Sequence, residues 1–507
     1  MRISGIILHP TSLPGDHGIG SLGESAYRFA DFLSGSGQRL WQVLPLGPPG
    51  YGNSPYQCYS SMAGNPLMIS LEGLVEEGWL APSDLRQAPD FPHRYVDFER
   101  VVPFKQALLK KAAANFFSHR LQPARDDFER FCSEKAAWLD RFAEFAALKG
   151  NSRGVSWTSW PRDLRADPRD VEAQKFIQYV FSRQWDALRK YCRERGIQIM
   201  GDVPIFVAHD SADVWANPEL FDLDPEGNPR SVAGVPPDYF SATGQLWGNP
   251  LYRWDVMERN GYRWWIERVR SLFDQVDMVR LDHFRGFEKY YSIPAGSATA
   301  IGGQWAEGPG DRLFSALEKA LGKLPFVAED LGLITDEVHA LRDRWDFPGM
   351  RVLQFAFCND DPEDSFKPHN YIRNCVVYTG THDNDTTLGW FHGGLKDTTM
   401  KAEQVRAERE LAMRYLNSDG REIHWDFIRA ALSSVAKIAI YPLQDVLGLG
   451  PEGRMNTPAH PDGNWRWRYE EGQLTPEVCA RLGALSRLYG RTGGAGPAQA
   501  VAATAPD

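Results

Sequence analysis

A chain of 507 residues exceeds one ordinary domain, though a single barrel with insertions also reaches this length. Its 24% charged and 43% hydrophobic residues are those of a soluble globular protein, and a net charge of −10 at pH 7 argues against nucleic acid as a partner and suits a neutral substrate. No apolar run approaches the roughly 20 residues of a membrane span, and Met1 to Pro10 lacks the apolar length of a signal peptide, so a cytoplasmic protein with no membrane partner is expected.

In chain order, eight short apolar runs read as strands: 5–9, 40–46, 197–203, 276–282, 326–329, 351–357, 375–380 and 438–443. Helical periodicity marks 104–117, 126–148 and 171–195 between the second and third runs, and 261–273, 311–321, 335–345 and 423–434 between the later ones. Strands alternating with helices imply parallel pairing through right-handed crossovers, and eight of them predict an α/β fold, a closed (β/α)8 TIM barrel with its chemistry at the C-terminal strand ends. An open doubly wound sheet is disfavoured because no Gly-x-Gly-x-x-Gly follows the first strand. The expected organisation is one catalytic barrel over 1–491. It carries insertions at about 51–190, mostly helical, and 205–260, in loops, both over the mouth. A disordered tail at 492–507 and no C-terminal β-sandwich complete the expectation.

Aromatic residues are the compositional outlier. Seventeen Trp and 18 Tyr fall largely in polar, Gly- and Pro-rich stretches such as Tyr51-Gly52-Asn53-Ser54-Pro55-Tyr56, Trp157-Thr158-Ser159-Trp160 and Gln245-Leu246-Trp247-Gly248-Asn249. Flat rings beside Asn, Gln and Asp suit the C–H faces and hydroxyls of sugars. Anchoring of large loops is the alternative use of any one ring. The six cysteines show no metal-ligand spacing, which favours reduced thiols and predicts no metal and no cofactor.

Three of the strand candidates end in acids: Met278-Val279-Arg280-Leu281-Asp282-His283-Phe284, Phe326-Val327-Ala328-Glu329-Asp330-Leu331-Gly332 and Val377-Tyr378-Thr379-Gly380-Thr381-His382-Asp383-Asn384. Two carry a cationic or titratable neighbour, Arg280 and His382. Carboxylates grouped at one barrel mouth predict carboxylate chemistry.

These segments, with Leu8-His9-Pro10-Thr11-Ser12-Leu13-Pro14-Gly15, Pro55-Tyr56-Gln57, Gly201-Asp202-Val203-Pro204, Gly234-Val235-Pro236-Pro237-Asp238-Tyr239-Phe240 and Trp247-Gly248-Asn249-Pro250, resemble the 4-α-glucanotransferases, or amylomaltases, of glycoside hydrolase family 77. The resemblance implies transfer of α-1,4-glucan segments (malto-oligosaccharides, amylose, glycogen) to the 4-hydroxyl of glucose or another glucan, by retaining double displacement, with cyclic glucans as a possible product. On it, Asp282 is the nucleophile, Glu329 the acid/base and Asp383 the third carboxylate, binding the 2- and 3-hydroxyls. Arg280 orients Asp282, and Tyr56, Asp202 and His382 line the donor side. Tyr239, Phe240, Gln245 and Trp247 cover the acceptor side. Asn464 with Trp465, and Met455 with Asn456, are expected to make further glucan contacts, and Tyr51 resembles a surface glucan site. Asp330 and Asp385 read as supporting or loop-capping acids. An α-amylase-type hydrolase would share the three acids but usually adds a calcium site and a β-sandwich. A non-catalytic glucan-binding barrel would have lost carboxylates.

Overall fold

The computed structural model describes residues 2–118, 122–152, 154–237, 241, 243–393, 401–458, 460 and 462–493. All eight apolar runs contribute strands: β1 (Ile3–Ile7), β2 (Leu40–Gln42), β3 (Gln198–Pro204), β4 (Met278–Asp282), β5 (Phe326–Ala328), β6 (Gly349–Val352), β7 (Cys375–Tyr378) and β8 (Ile438–Pro442). Each pairs in parallel with its neighbours in chain order, and β8 closes onto β1. A closed parallel barrel is covered outside by helices and filled inside by side chains, so its strands are buried on both faces. Trp41, Met200, Val279, Val327, Met350, Val377 and Ile440 are accordingly fully buried. β1 and β2 approach so closely that a Cβ at Gly5 would lie 2.3 Å from the Leu40 carbonyl oxygen, which requires glycine there.

Several details differ from expectation. The run at 351–357 is strand only to Val352; Leu353–Phe357 is a 3-10 helix with Leu353, Gln354, Ala356 and Phe357 buried. Burial alone makes a run apolar, and that does not distinguish a strand from a buried turn of helix. The helix expected at 126–148 is two, Gln122–Glu134 and Ala136–Asn151, broken at Lys135 (φ −103°, ψ 8°), whose ammonium pairs with Asp274 at 2.7 Å. The 205–260 excursion is more than loops. Ser231–Val235 and Gln245–Pro250 join Lys289–Pro294 and Gln304–Glu307 in a four-stranded antiparallel sheet, so the chain after β3 is tied to the chain after β4. Thr492, the first residue of the expected tail, bridges Ile3, and its carbonyl accepts from Arg39 Nε at 2.9 Å. Residues 494–507 lie outside the described residues.

Asp330 is held behind the strand end that carries Glu329. Its buried carboxylate accepts from Met350 N of β6 at 2.7 Å and pairs with Arg342 of helix Asp336–Arg344. Gly349 leaves room for this clamp, since a Cβ there would lie 2.5 Å from Asp330 Oδ2. Asp330→Ala leaves the buried Arg342 with Asp343 as its one remaining carboxylate partner (2.7 Å) and frees a buried β6 amide. We expect a loss of about 3–5 kcal/mol in urea unfolding, with activity per folded molecule falling far less than stability. A loss below about 1 kcal/mol would show that the clamp is dispensable.

Candidate active site

The site follows from register. Arg280 pairs with Val327 and Leu281 with Ala328 across β4 and β5, so the next residues, Asp282 and Glu329, stand side by side at the C-terminal rim. The pairing continues past the strands, with Glu329 N donating to Leu281 O (3.0 Å) and Phe284 N to Glu329 O (3.1 Å). Adjacent strands lie about 4.8 Å apart, which matches the roughly 5–5.5 Å between the two carboxyls of a retaining glycosidase. On the other side of β4, Asp202 of β3 is in register with Arg280.

Arg280 is the electrostatic hub. Its Nη1 lies 2.9 and 2.8 Å from the two oxygens of Asp202 and 2.8 Å from Asp282 Oδ1, and Arg280 and Asp202 are both buried. Tyr56 OH donates to Asp202 Oδ2 at 2.8 Å. Burial opposes charge on the guanidinium, but Asp202 and Asp282 hold its pKa well above the ordinary value. Burial among acids also raises the Tyr56 hydroxyl well above its usual range, keeping it a donor.

Glu329 has the opposite surroundings. Its Oε2 accepts from His283 N at 2.7 Å and its Oε1 from Leu331 N at 3.0 Å. His283 reaches this position with left-handed backbone (φ 52°, ψ 53°), an unusual conformation for a residue with a side chain. Desolvation of the Glu329 carboxyl pushes its pKa up to about 8; the charge on Asp282 adds to this, and Arg280 and the two amides oppose it. Glu329 is thereby driven toward its protonated form beside the arginine-paired Asp282, the arrangement that divides acid from nucleophile.

Asp383 follows β7. Asn456 Nδ2 donates to its Oδ1 at 2.6 Å, His382 Nε2 lies 3.3 Å from the same oxygen, and Arg454 Nη2 donates to its backbone carbonyl at 3.2 Å. The His382 ring stacks on Tyr56 (5.1 Å, 14°), and Trp465 is 5.8–5.9 Å from both rings. His9 lies buried near His382, its pKa pushed down to about 3 by desolvation and then by that neighbour, so it is neutral.

Asp282, Glu329, Asp383, Arg280, Asp202, Tyr56 and His382 thus converge. Trp247 joins from the side sheet: its ring meets the His283 ring edge-on at 4.8 Å, and its Nε1 donates to Gln245 Oε1 at 3.1 Å. Asn464 is committed to its own loop, accepting from Thr457 N (2.9 Å) and donating to His460 O (2.8 Å). Asp385 accepts from Thr386 N at 2.8 Å, consistent with a loop-capping acid. Tyr51 is 79% exposed at the head of the helical insertion. Tyr239 and Phe240 lie outside the described residues. Sequence reasoning missed Arg454, the direct Asn456–Asp383 bond, and the amides of His283 and Leu331. Arg454 adjoins the quoted Met455-Asn456 and was the one legible signal; backbone donors leave none. Among the described residues, no three His, Cys, Asp or Glu side chains gather as a metal-holding group.

Removing Arg280 tests the hub. Arg280→Met leaves Asp202 and Asp282 without their shared cation, and we expect a loss of about 3–5 kcal/mol. Asp202, whose carboxyl desolvation already raises against the opposing pull of Arg280, then sits further above its unfolded value, so the variant recovers stability below the unfolded value and loses it as pH rises through the folded one. Urea unfolding should show a larger deficit at pH 8 than at pH 5. An equal deficit at both would mean that lost packing, rather than uncompensated charge, is the cost.

Comparison with known proteins agrees with this geometry. The family described as 4-alpha-glucanotransferase, glycoside hydrolase family 77, matches residues 8–475. A 4-alpha-glucanotransferase of Synechocystis is 49% identical over 97% of this chain and 98% of its own length; that of Thermus thermophilus is 48% identical over 97% and 99%. Among solved structures, the amylomaltase of Streptococcus agalactiae in complex with acarbose superposes with a TM-score of 0.90 at 36% identity, covering 97% of this chain and all of that one. The chain belongs to the 4-α-glucanotransferase family, glycoside hydrolase family 77.

Proposed function

We propose that this enzyme transfers α-1,4-glucan segments between malto-oligosaccharides or longer glucans, with glucose among its acceptors, through a glycosyl ester on Asp282. The observation that carries the reading is the in-register pair at the ends of β4 and β5: a carboxylate held by Arg280 beside a carboxyl whose pKa is pushed up to about 8. Glu329 protonates the leaving 4-oxygen while Asp282 attacks the anomeric carbon. The acceptor 4-hydroxyl then gives its proton to Glu329 as it displaces Asp282. Asp383, oriented by Asn456 and His382, binds the ring hydroxyls of the sugar at the donor side, with Tyr56 beside it. A cytoplasmic location is supported by six cysteines that are all free.

Asp282→Asn keeps the shape but cannot form the ester, and Glu329→Gln cannot protonate the leaving group. Each should lower disproportionation of maltotriose by several orders of magnitude, read as glucose release with longer products. Glu329→Gln should recover partly on a glucosyl donor whose leaving group needs no proton; equal loss on both donor types would remove Glu329 from the acid role. Because the acid form is required, wild-type kcat/KM should decline as pH rises through about 8. A profile flat to pH 10 contradicts the assignment.

Transfer rather than hydrolysis needs an acceptor site that binds sugar and excludes water. Gln245 and Trp247 supply its described wall, and Tyr239 and Phe240, a few residues earlier in a Pro-Pro-Asp-Tyr-Phe segment, complete it in this reading. Replacing both Tyr239 and Phe240 by Ala should weaken acceptor binding by about 1–3 kcal/mol. Water has no such dependence, so the ratio of reducing-end release to glucose transfer should rise about tenfold. An unchanged ratio in a stable variant would shift acceptor selection to Gln245 and Trp247.

A further inference from the structure

Just beyond Asp282, the side chain of Arg285 stands where three elements meet. It belongs to the 3-10 turn Phe284–Phe287, which begins at the left-handed His283, and it is buried. Its Nη1 donates to the carbonyl of Leu333, in the loop that follows Glu329. Its guanidinium lies 3.9 Å from the ring centre of Trp305, on strand Gln304–Glu307 of the side sheet. One cation thus ties the turn after β4 to the loop after β5, with an indole ring packed against it.

The placement is costly. Arg285 Nε is buried without a hydrogen bond, and burial pulls the guanidinium pKa below its ordinary value. Glu288 and Glu337 attract it only from a distance, and Glu288 is engaged with Lys289 at 3.3 Å. A buried cation with such partners often stabilises no more than an apolar side chain of its size. Its use therefore lies in what the bond to Leu333 holds.

The two tied segments are the ones that supply Glu329 with donors. His283, in the first, gives its amide to Oε2 at 2.7 Å, and Leu331, in the second, gives its amide to Oε1 at 3.0 Å. Between Leu331 and Leu333 the chain turns at Gly332 (φ 89°), and the Leu333 side chain is 55% exposed, so its packing does not fix this stretch. We propose that Arg285 is a positioning residue for Glu329: by locking the two segments together it keeps both amides converged on the Glu329 carboxylate. The inference rests on the acid/base reading of Glu329 and deepens it. The charged groups acting on Glu329 are Arg280 and Asp282; the His283 ring, its pKa pushed down to about 4 by desolvation, is neutral near pH 8. Loosened amides favour the carboxylate less, so loss of Arg285 raises the Glu329 pKa further. Protonation of the leaving group survives, and the second displacement, which needs the carboxylate, slows.

The test is the pH profile of kcat/KM for maltotriose disproportionation, which reports the groups of the free enzyme and does not depend on how much of a variant is folded. Arg285→Met should move the alkaline limb upward by about one pH unit. Trp305→Ala leaves the charge in place but frees the guanidinium, and should move the limb the same way by a smaller step. Arg285→Lys keeps a charge and a donor, and should fall between Arg285→Met and the wild type. On a glucosyl donor whose leaving group needs no proton, Arg285→Met should lower kcat about tenfold at pH 7 and accumulate protein heavier by the glucosyl unit, because removal of the ester is then the slow step. An alkaline limb that stays at the wild-type pH in all three variants overturns the proposal, whatever their thermal stability. So does a shift in Arg285→Met that Arg285→Lys abolishes and Trp305→Ala lacks, which is the signature of charge acting at a distance. A wild-type profile flat to pH 10 removes Glu329 as the acid/base and the proposal with it, whereas a wild-type decline that no variant moves counts against Arg285 alone.

Discussion

The Arg280 guanidinium is the constraint on which the site depends. A buried cation is tolerated only when opposing charges and hydrogen bonds replace its water, and here Asp202 and Asp282 flank it on β3 and β4. One positive charge between two carboxylates keeps both close without letting them repel freely. It also leaves a net negative charge facing the neighbouring strand. Tyr56 completes the shell by donating to Asp202, and its stacking on His382 carries the same network across to Asp383. Three strand ends are thus coupled through one guanidinium and one phenol.

Barrel geometry then does what side chains could not do alone. A closed parallel barrel fixes register around the whole ring, so the positions of Asp202, Asp282 and Glu329 are set by strand pairing rather than by loop conformation. Clamps behind the rim preserve it: Asp330 ties β5 to β6 and to Arg342, and Asp445 accepts from Thr379 (2.6 Å) and Thr387 (2.7 and 2.8 Å) near the end of β7. The acids next to or near the proposed catalytic ones are therefore structural. They hold the backbone from which Glu329 and Asp383 project.

This division explains what could be read in advance. Strands buried on both faces appear as uninterrupted apolar runs, so all eight were legible, as were the acids at their ends. Helix breaks and 3-10 turns were not, because Lys135 and Leu353–Phe357 follow tertiary contacts rather than local preference. The antiparallel side sheet escaped because Ser231–Val235 and Gln245–Pro250 are short and glycine-bearing, and the strand that completes their pairing, Lys289–Pro294, lies more than 40 residues beyond Ser231–Val235; Lys289-Tyr290-Tyr291-Ser292-Ile293 was the one β-rich signal within it. At the site, Asp202 and Arg280 could each be named but their bond could not, since 78 residues separate them. The amides of His283 and Leu331 carry no side-chain signature at all.

Those two amides bear on how one carboxyl can serve in both halves of the proposed reaction. While Asp282 is ionised, its charge and the desolvation of Glu329 outweigh Arg280 and the amides, and the Glu329 proton is retained. Once Asp282 is esterified, its negative charge is gone. Arg280 and both N–H donors remain, and all three favour the carboxylate. The balance at Glu329 tips toward release of the proton and then toward acceptance of one from the incoming hydroxyl, with no movement of the protein required. The left-handed backbone at His283 is the strained element that aims one of these donors, and the Trp247 ring packs edge-on against the ring of that residue. If Trp247 walls the acceptor site as proposed, acceptor binding and acid/base tuning share a single residue, and the choice of nucleophile and the protonation of Glu329 come under common structural control.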